Sequence, residues 1–287
     1  MIDVNYSLPD IQHTMKPKFE IPIHQVGVEN IKTNIILESK SGGVNRLLSN
    51  VSMSTDLRAD KKGISMSMLL RTLVNYLDVP LKHRLLQQIL EEFKVAVETE
   101  SDNSFIRFEF ELPMVRSAPI TKMSFPQFYK CAFEGRLANG VFRFFQRLRI
   151  QYASYCPCSA SLCDNLQEKG TNGYPHAQRG FANILVEVLP SNVLWLEEII
   201  DLVEGAVKTA PCPILRRVDE QEYARIAYEN PMFVEDAIRI ISNALNSNEK
   251  IYDWIVKCTH EESIHASEAV AINWKGIENG FNGLLFL

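Results

Sequence analysis

The segment 141–155 places the tightest limit on the fold. Its apolar residues Phe142, Phe144, Leu148, Ile150 and Tyr152 alternate with Arg143, Arg147, Arg149 and Gln151. Successive side chains of a strand point to opposite faces, so this order gives one apolar and one polar face. Wound as a helix, the same residues would be scattered around the cylinder. A strand of this length needs neighbours for its backbone groups and a second layer over its apolar face. It delivers Cys156 at its end.

Neighbours are readable on both sides. Segment 19–38 carries Ile21, Ile23, Val26, Val28, Ile31, Ile35 and Leu37 in loose alternation. It predicts one long or two short strands, followed by a turn at 39–43 and a strand at 48–57. After the charged turn Asp60-Lys61-Lys62-Gly63, Met66, Leu69, Leu70 and Leu77 form one helical stripe. Leu85, Leu86, Ile89, Leu90 and Phe93 form a second, with Pro80 marking its start. Segment 105–115 returns to strand and 119–134 predicts a shorter one. Residues before about 18 are polar and irregular and predict an extended arm.

Beyond Cys156 the sequence reads as a polar loop, then a strand at 181–189. Ser191 is placed to cap an amphipathic helix through Leu194, Ile199, Leu202, Val203 and Val207. Helices at 219–228 and 231–245 follow, the latter with Pro231 at its first position, then strands at 251–258 and 269–274. Each half reads strand, strand, helix, helix, strand, strand, with no alignable repeat. The expected class is α+β, with modules at 1–135 and 136–287, each an antiparallel sheet with its helices on one face. Closing such sheets into barrels with further copies would cover the open face and edges, so a homo-oligomer is expected.

A chain of 287 residues with 46% hydrophobic content can bury cores of this size. The net charge of −5 argues against a nucleic-acid surface. No apolar run is long enough to span a membrane, and the polar N-terminus does not read as a signal peptide. The six cysteines are too sparse for a disulfide scaffold and fit a reducing compartment. The expectation is a cytoplasmic protein without a membrane or nucleic-acid partner.

The chemistry-bearing residues fall in the second half. Cys156-Pro157-Cys158-Ser159 is followed by Pro175-His176-Ala177-Gln178-Arg179. Thiolate and imidazole are ligands for a borderline-soft metal such as zinc, although two thiols alone more often describe plain core cysteines. Arg216-Arg217-Val218-Asp219-Glu220, the run from Glu229 to Asp236, and His260-Glu261-Glu262-Ser263-Ile264-His265 add carboxylates and imidazoles. Together they are the inventory of a hydrolytic metal site with its own acid and base.

These blocks, in this order, resemble the GTP cyclohydrolase IB family, the alternative, sequence-divergent form of GTP cyclohydrolase I. The resemblance spans nearly the whole chain. It includes Pro9-Asp10-Ile11-Gln12, His24-Gln25-Val26-Gly27-Val28, Lys62-Gly63-Ile64 with Met66-Ser67, Ala118-Pro119-Ile120, and the Cys-Pro-Cys-Ser and His-Ala-Gln-Arg blocks. It continues through Asp219-Glu220, Ala227-Tyr228-Glu229-Asn230-Pro231, Phe233-Val234-Glu235-Asp236 and Glu262-Ser263-Ile264-His265.

The resemblance implies tandem tunnelling-fold (T-fold) modules and a homotetramer with sites between subunits. The implied reaction is hydrolysis of GTP to formate and 7,8-dihydroneopterin triphosphate, the entry to folate-type pterins or to deazapurines. By resemblance, Cys156, His176 and Glu220 hold a divalent metal, with zinc, manganese or iron all compatible with a thiolate, imidazole and carboxylate set. Cys158 is either a further ligand or, preferably, a supporting or core residue. Glu235 would select guanine by accepting two hydrogen bonds from its N1–H and N2 amino group. Glu262 and His265 would carry protons. Gln178 and Arg179 would bind substrate, Arg179 at the triphosphate with Arg216, Arg217, Lys61 and Lys62 behind it. Cys163 is read preferably as a passive loop thiol, the other reading being a disulfide with Cys156 that silences the site on oxidation.

The chain departs from the family pattern in two places. Ser65 and Met68 stand where a His and an Arg are common, and Gly180 replaces a usual Ser, read here as a minor change. Two alternatives remain: a non-catalytic purine- or pterin-binding T-fold protein, or a related T-fold enzyme with another pterin or deazapurine substrate.

Overall fold

A computed structural model describes residues 11–96 and 101–282. Eight strands form one sheet in sequence order, β1 to β8, so each strand lies beside its neighbours in the chain. They are β1 (Ile23–Glu38), β2 (Val44–Leu57), β3 (Asn103–Ser117), β4 (Ser124–Ala138), β5 (Val141–Tyr155), β6 (Ala177–Val188), β7 (Asp253–Glu262) and β8 (Glu268–Trp274). The β1–β2, β6–β7 and β7–β8 ladders are antiparallel. Asn139 and Gly140, with φ of 49° and 78°, make the tight turn from β4 to β5. Paired left-handed residues match the twist of a two-residue hairpin. The helices are α1 (Ile11–Thr14), α2 (Met66–Val74), α3 (His83–Ala96), α4 (Pro157–Glu168), α5 (Leu196–Val207), α6 (Arg217–Glu229) and α7 (Val234–Asn246).

The chain divides into two compact units. Among the described residues the first comprises 11–38, 44–96, 101–109 and 134–144; the second comprises 39–43, 110–133 and 145–282. In the first, the expected stripe Leu85, Leu86, Ile89, Leu90 and Phe93 of α3 is buried, alongside Val51, Met53, Ile106 and Phe108 from the strands. Each such side chain contributes about 1.5–3 kcal/mol relative to exposure. In the second, Ile199, Val203 and Val207 of α5 and Ile238, Ile241 and Leu245 of α7 are buried. Helix α7 packs on α5, β7 and β8. The alternation that predicted β5 is reproduced in part: Phe144, Leu148, Ile150 and Tyr152 are buried, whereas Phe142 is half-buried and Phe145, on the face read as polar, is buried too.

Several expectations are corrected. The Pro9-Asp10 part of the first block lies outside the described residues, and 11–14 form a helical turn instead of an extended arm. Segment 119–134 is not a short return: β4 is fifteen residues long. Helix α5 starts at Leu196 with Trp195 as its cap residue, not at Ser191. Helix α7 starts at Val234, so Pro231 stands before it. Three helices begin alike: the amides of Trp195, Arg216 and Phe233 donate to Glu198, Asp219 and Asp236 three residues on. The acidic side chain closes the first turn from inside, which leaves no Ser or Thr signature to read. The polar loop after Cys156 contains α4, a twelve-residue helix with Pro157 in its first turn. Only Cys163 of that helix is buried, so it has no apolar stripe.

Candidate active site

Helix α4 brings the two thiol and imidazole motifs together. Cys156 is its cap residue, with extended backbone. The Cys156 amide donates to the His176 carbonyl at 3.3 Å. In return the His176 amide donates to the Ser159 hydroxyl at 3.2 Å. The Cys-Pro-Cys-Ser turn and the residue before β6 are therefore clasped by their backbones. The Cys156 thiol is half-buried, and His176 Nδ1 is buried with no hydrogen-bond partner. An orphaned buried nitrogen costs about 1–3 kcal/mol unless something binds it. A thiol and an imidazole are ligand types for a metal of zinc type.

Strand β6 begins at Ala177, ahead of the expected 181, and β7 runs on to Glu262, past the expected 258. Both motifs thus enter one ladder. Gln178 pairs with Glu262, Arg179 with Glu261 and Gly180 with His260, and the Ser263 amide donates to the Ala177 carbonyl. Directly opposed residues share a face, so Gln178, Gly180, Glu262 and His260 lie on one side of the sheet. Arg179 is exposed on the other side, opposite Glu261. Gln178 is buried and its Oε1 lacks a partner. His265 follows Glu262 in the turn, its Nε2 3.5 Å from the Glu262 carboxylate.

The Asn230–Phe233 connection is held to the same end of the sheet. Ser154, buried near the end of β5, accepts the Met232 amide at 2.8 Å and donates to its carbonyl at 3.1 Å. Glu235, exposed in the first turn of α7, follows three residues later. Its charge, with that of Glu262, acts on the His260 ring. Burial pushes the His260 imidazole down, and these two carboxylates oppose that.

Glu220 is exposed in the first turn of α6. Its neighbour Asp219 is fully buried and accepts hydrogen bonds from the Ile120, Thr121 and Arg216 amides and the Thr121 hydroxyl. Burial works against the charge, yet these donors hold the carboxyl down to about 2. Asp219 thereby joins the Ala118-Pro119-Ile120 block to the start of α6. Tyr223, one turn after Glu220 on the same helix face, donates to the Thr209 carbonyl, and Thr209 exchanges hydrogen bonds with Ala153 of β5. Among the described residues no three of His, Cys, Asp and Glu converge closely enough to hold a metal; Cys156 and His176 are joined through their backbones.

Two readings of the other thiols are corrected. Cys158 is exposed on α4, so it is not a core residue. Cys156 and Cys163 are separated by seven residues, a rise of about 10 Å along α4, beyond the roughly 7 Å that a disulfide spans. The first unit holds a polar cleft of about 520 Å³ lined by His24, Gln25, Asp56, Phe105, Arg107 and Arg136. Ser65 is the cap residue of α2, and Met68 one turn on receives the Arg71 guanidinium at its sulfur. Sequence reasoning missed Ser154, Ser159, Asp219 and Tyr152 as supports. His260 was within a chosen block, and its even spacing from Glu262 was the signal that both share a face.

Comparison with known proteins agrees with this geometry. Solved urate oxidases share the fold: a uricase from Arthrobacter globiformis matches with a TM-score of 0.54 at 6% identity, over 91% of this chain and 96% of that one. A urate oxidase from Bacillus sp. TB-90 matches with a TM-score of 0.55 at 9% identity, over 88% and 99%. Relatives named GTP cyclohydrolase FolE2 are closer in sequence. The protein of Cereibacter sphaeroides is 33% identical over 94% of this chain and 76% of its own length. That of Paracoccus denitrificans is 32% identical over 96% and 87%. The family model described as type I GTP cyclohydrolase folE2 matches residues 8–271, and the chain belongs to that family.

Proposed function

We infer that this chain is a GTP cyclohydrolase I that converts GTP and water to formate and 7,8-dihydroneopterin triphosphate. One observation supports this above the others: the β6–β7 ladder sets Gln178 against Glu262, with His265 beside that carboxylate and Cys156 clasped to His176 at the start of β6. Glu262 and His265 are a carboxylate and an imidazole within reach of each other, suited to holding and passing the protons of ring opening and reclosure. Glu235, at the start of α7, is the base-recognition residue: one carboxylate accepts from both N1–H and the N2 amino group of guanine. Gln178, buried with an unsatisfied oxygen, is a second polar contact for the substrate. Arg179, on the other face of the sheet, serves the triphosphate only of a substrate reached from that side; Arg216, Arg217, Lys61 and Lys62 remain the other cations for it.

Cys156, His176 and Glu220 would hold a divalent metal, zinc, manganese or iron. The orphaned His176 nitrogen and the backbone clasp between Cys156 and His176 support the first two ligands, and the shared face of Glu220 and Tyr223 supports the third. When bound, the cation supplies Lewis-acid activation of water near neutral pH. The likeness to urate oxidases supports a tunnelling fold, and two modules, 1–135 and 136–287 in sequence, are part of this proposal. The exposed edge strands β1 and β8 fit closure into a barrel by further copies, with a homotetramer as the assembly. No described helix is long and apolar enough to cross a membrane, and a cytoplasmic location is part of the proposal.

The test is formate release from GTP, followed with the fluorescence of the oxidised neopterin product and compared with ATP and with other purines. Formate from GTP alone supports the reading. Tight GTP binding without formate under every metal would replace it with a binding protein, and turnover of a different purine would replace it with a related enzyme.

A further inference from the structure

We propose that Tyr152 and His260 are a positioning pair that ties β5 to β7 across β6 and so fixes the end of β7 that carries Glu262. The inference rests on the cyclohydrolase reading of that end.

Strand β6 lies between β5 and β7, so the outer two share no ladder. Neighbouring strands are about 4.8 Å apart, and a side chain that links β5 to β7 must pass over β6. Tyr152 does so at Gly180. Its hydroxyl meets His260 Nε2 at 2.9 Å, and the two rings stand edge to face with centroids 5.5 Å apart. A Cβ on Gly180 would lie 2.2 Å from the Tyr152 ring. Glycine at this position is therefore not a minor change: the tyrosine ring occupies the space that a side chain would need.

The pair sits directly beneath the active end. His260 is 1% exposed and two residues before Glu262 on the same face of β7. Tyr152 is two residues before Ser154, which anchors the Met232 loop, and four before Cys156. The hydroxyl also neighbours the Cys258 thiol, two residues further back along β7. A buried imidazole with its Nε2 engaged has one orientation, so the backbone from His260 to Glu262 is referred to β5, where the thiol begins. Burial outweighs the opposing pull of the Glu262 and Glu235 carboxylates and favours the neutral ring, which keeps this link a simple hydrogen bond.

The experiment is steady-state GTP turnover by Tyr152→Phe, His260→Gln and His260→Leu in the metal-loaded protein, with GTP affinity measured separately. Tyr152→Phe keeps the ring and removes only the hydroxyl. It should lower kcat roughly tenfold while KM and GTP affinity stay within about twofold, as expected when one hydrogen bond that positions a reacting group is lost. His260→Gln, which keeps a polar atom near the Nε2 position, should retain more activity than His260→Leu. Should His260→Leu fail to fold, Tyr152→Phe decides alone. A Tyr152→Phe protein with the parent's kcat, or one whose kcat falls only in proportion to its folded fraction, overturns the pair while leaving the cyclohydrolase intact. A parent that releases no formate overturns the cyclohydrolase reading, and the pair's role falls with it.

Discussion

Replacing Ser154 with alanine should loosen the chain segment that presents Glu235. The Ser154 hydroxyl accepts the Met232 amide at 2.8 Å and donates to the Met232 carbonyl at 3.1 Å, in a site where the serine is 1% exposed. Alanine removes both bonds. The amide keeps a second acceptor, the Tyr155 carbonyl at 3.3 Å, whereas the Met232 carbonyl loses the serine donor. Leaving one buried acceptor unsatisfied costs about 1–3 kcal/mol, and water cannot easily repair it at this depth. For a protein of this size, about 2 kcal/mol lowers Tm by roughly 4–8 °C. The loss is local, so it should also appear as weaker GTP binding through the displaced first turn of α7. Thermal denaturation by circular dichroism and GTP titration calorimetry read the two effects. A Ser154→Ala protein that melts within about 1 °C of the parent and binds GTP equally would refute the claim that β5 anchors this loop.

Glu235→Gln should raise the KM for GTP about 10- to 100-fold, the range for losing a charged acceptor against two donors, with little change in Tm. Equal loss of kcat and no change in KM would instead place Glu235 in the proton chemistry. Asp219 gives an acid-side signature. Its folded pKa of about 2 lies below the usual value of roughly 3.9, so its stabilisation is full above about pH 4 and is lost as pH falls toward 2. Asp219→Asn should flatten the stability curve in that window, measured by urea denaturation. A slope identical to the parent's would show that the buried carboxylate does not secure the start of α6.

Much of the fold was legible because long strands advertise themselves. The alternation of 141–155 names most of the buried face of β5, though Phe142 is half-buried and Phe145 on the opposite face is buried as well, and the α3 stripe from Leu85 to Phe93 is buried as its spacing requires. Helix α4 was not legible, since a helix with one buried residue carries no 3.6-residue stripe and reads as a polar loop. The starts of α5 and α7 were misplaced because the capping contacts come from Glu198 and Asp236 within the helices, not from a serine or a proline before them. At the site, residue types were readable but pairing was not. Nothing in the order of residues states that Gln178 faces Glu262, or that Arg179 takes the opposite side. Those facts follow from the antiparallel register, which is set by contacts far apart in sequence. Gly180 was undervalued for the same reason: its meaning lies in Tyr152, on the neighbouring strand.

The central claim is that the Cys156 and His176 end of the sheet hydrolyses GTP. Its most direct test is turnover of GTP by the parent and by Cys156→Ala, each reconstituted with manganese, zinc or iron, with formate and GTP affinity both measured. The account predicts formate from the parent with at least one metal, and none from Cys156→Ala with any, while GTP still binds. Formate released equally by both proteins would contradict it, as would a parent that binds GTP under every metal and leaves it intact.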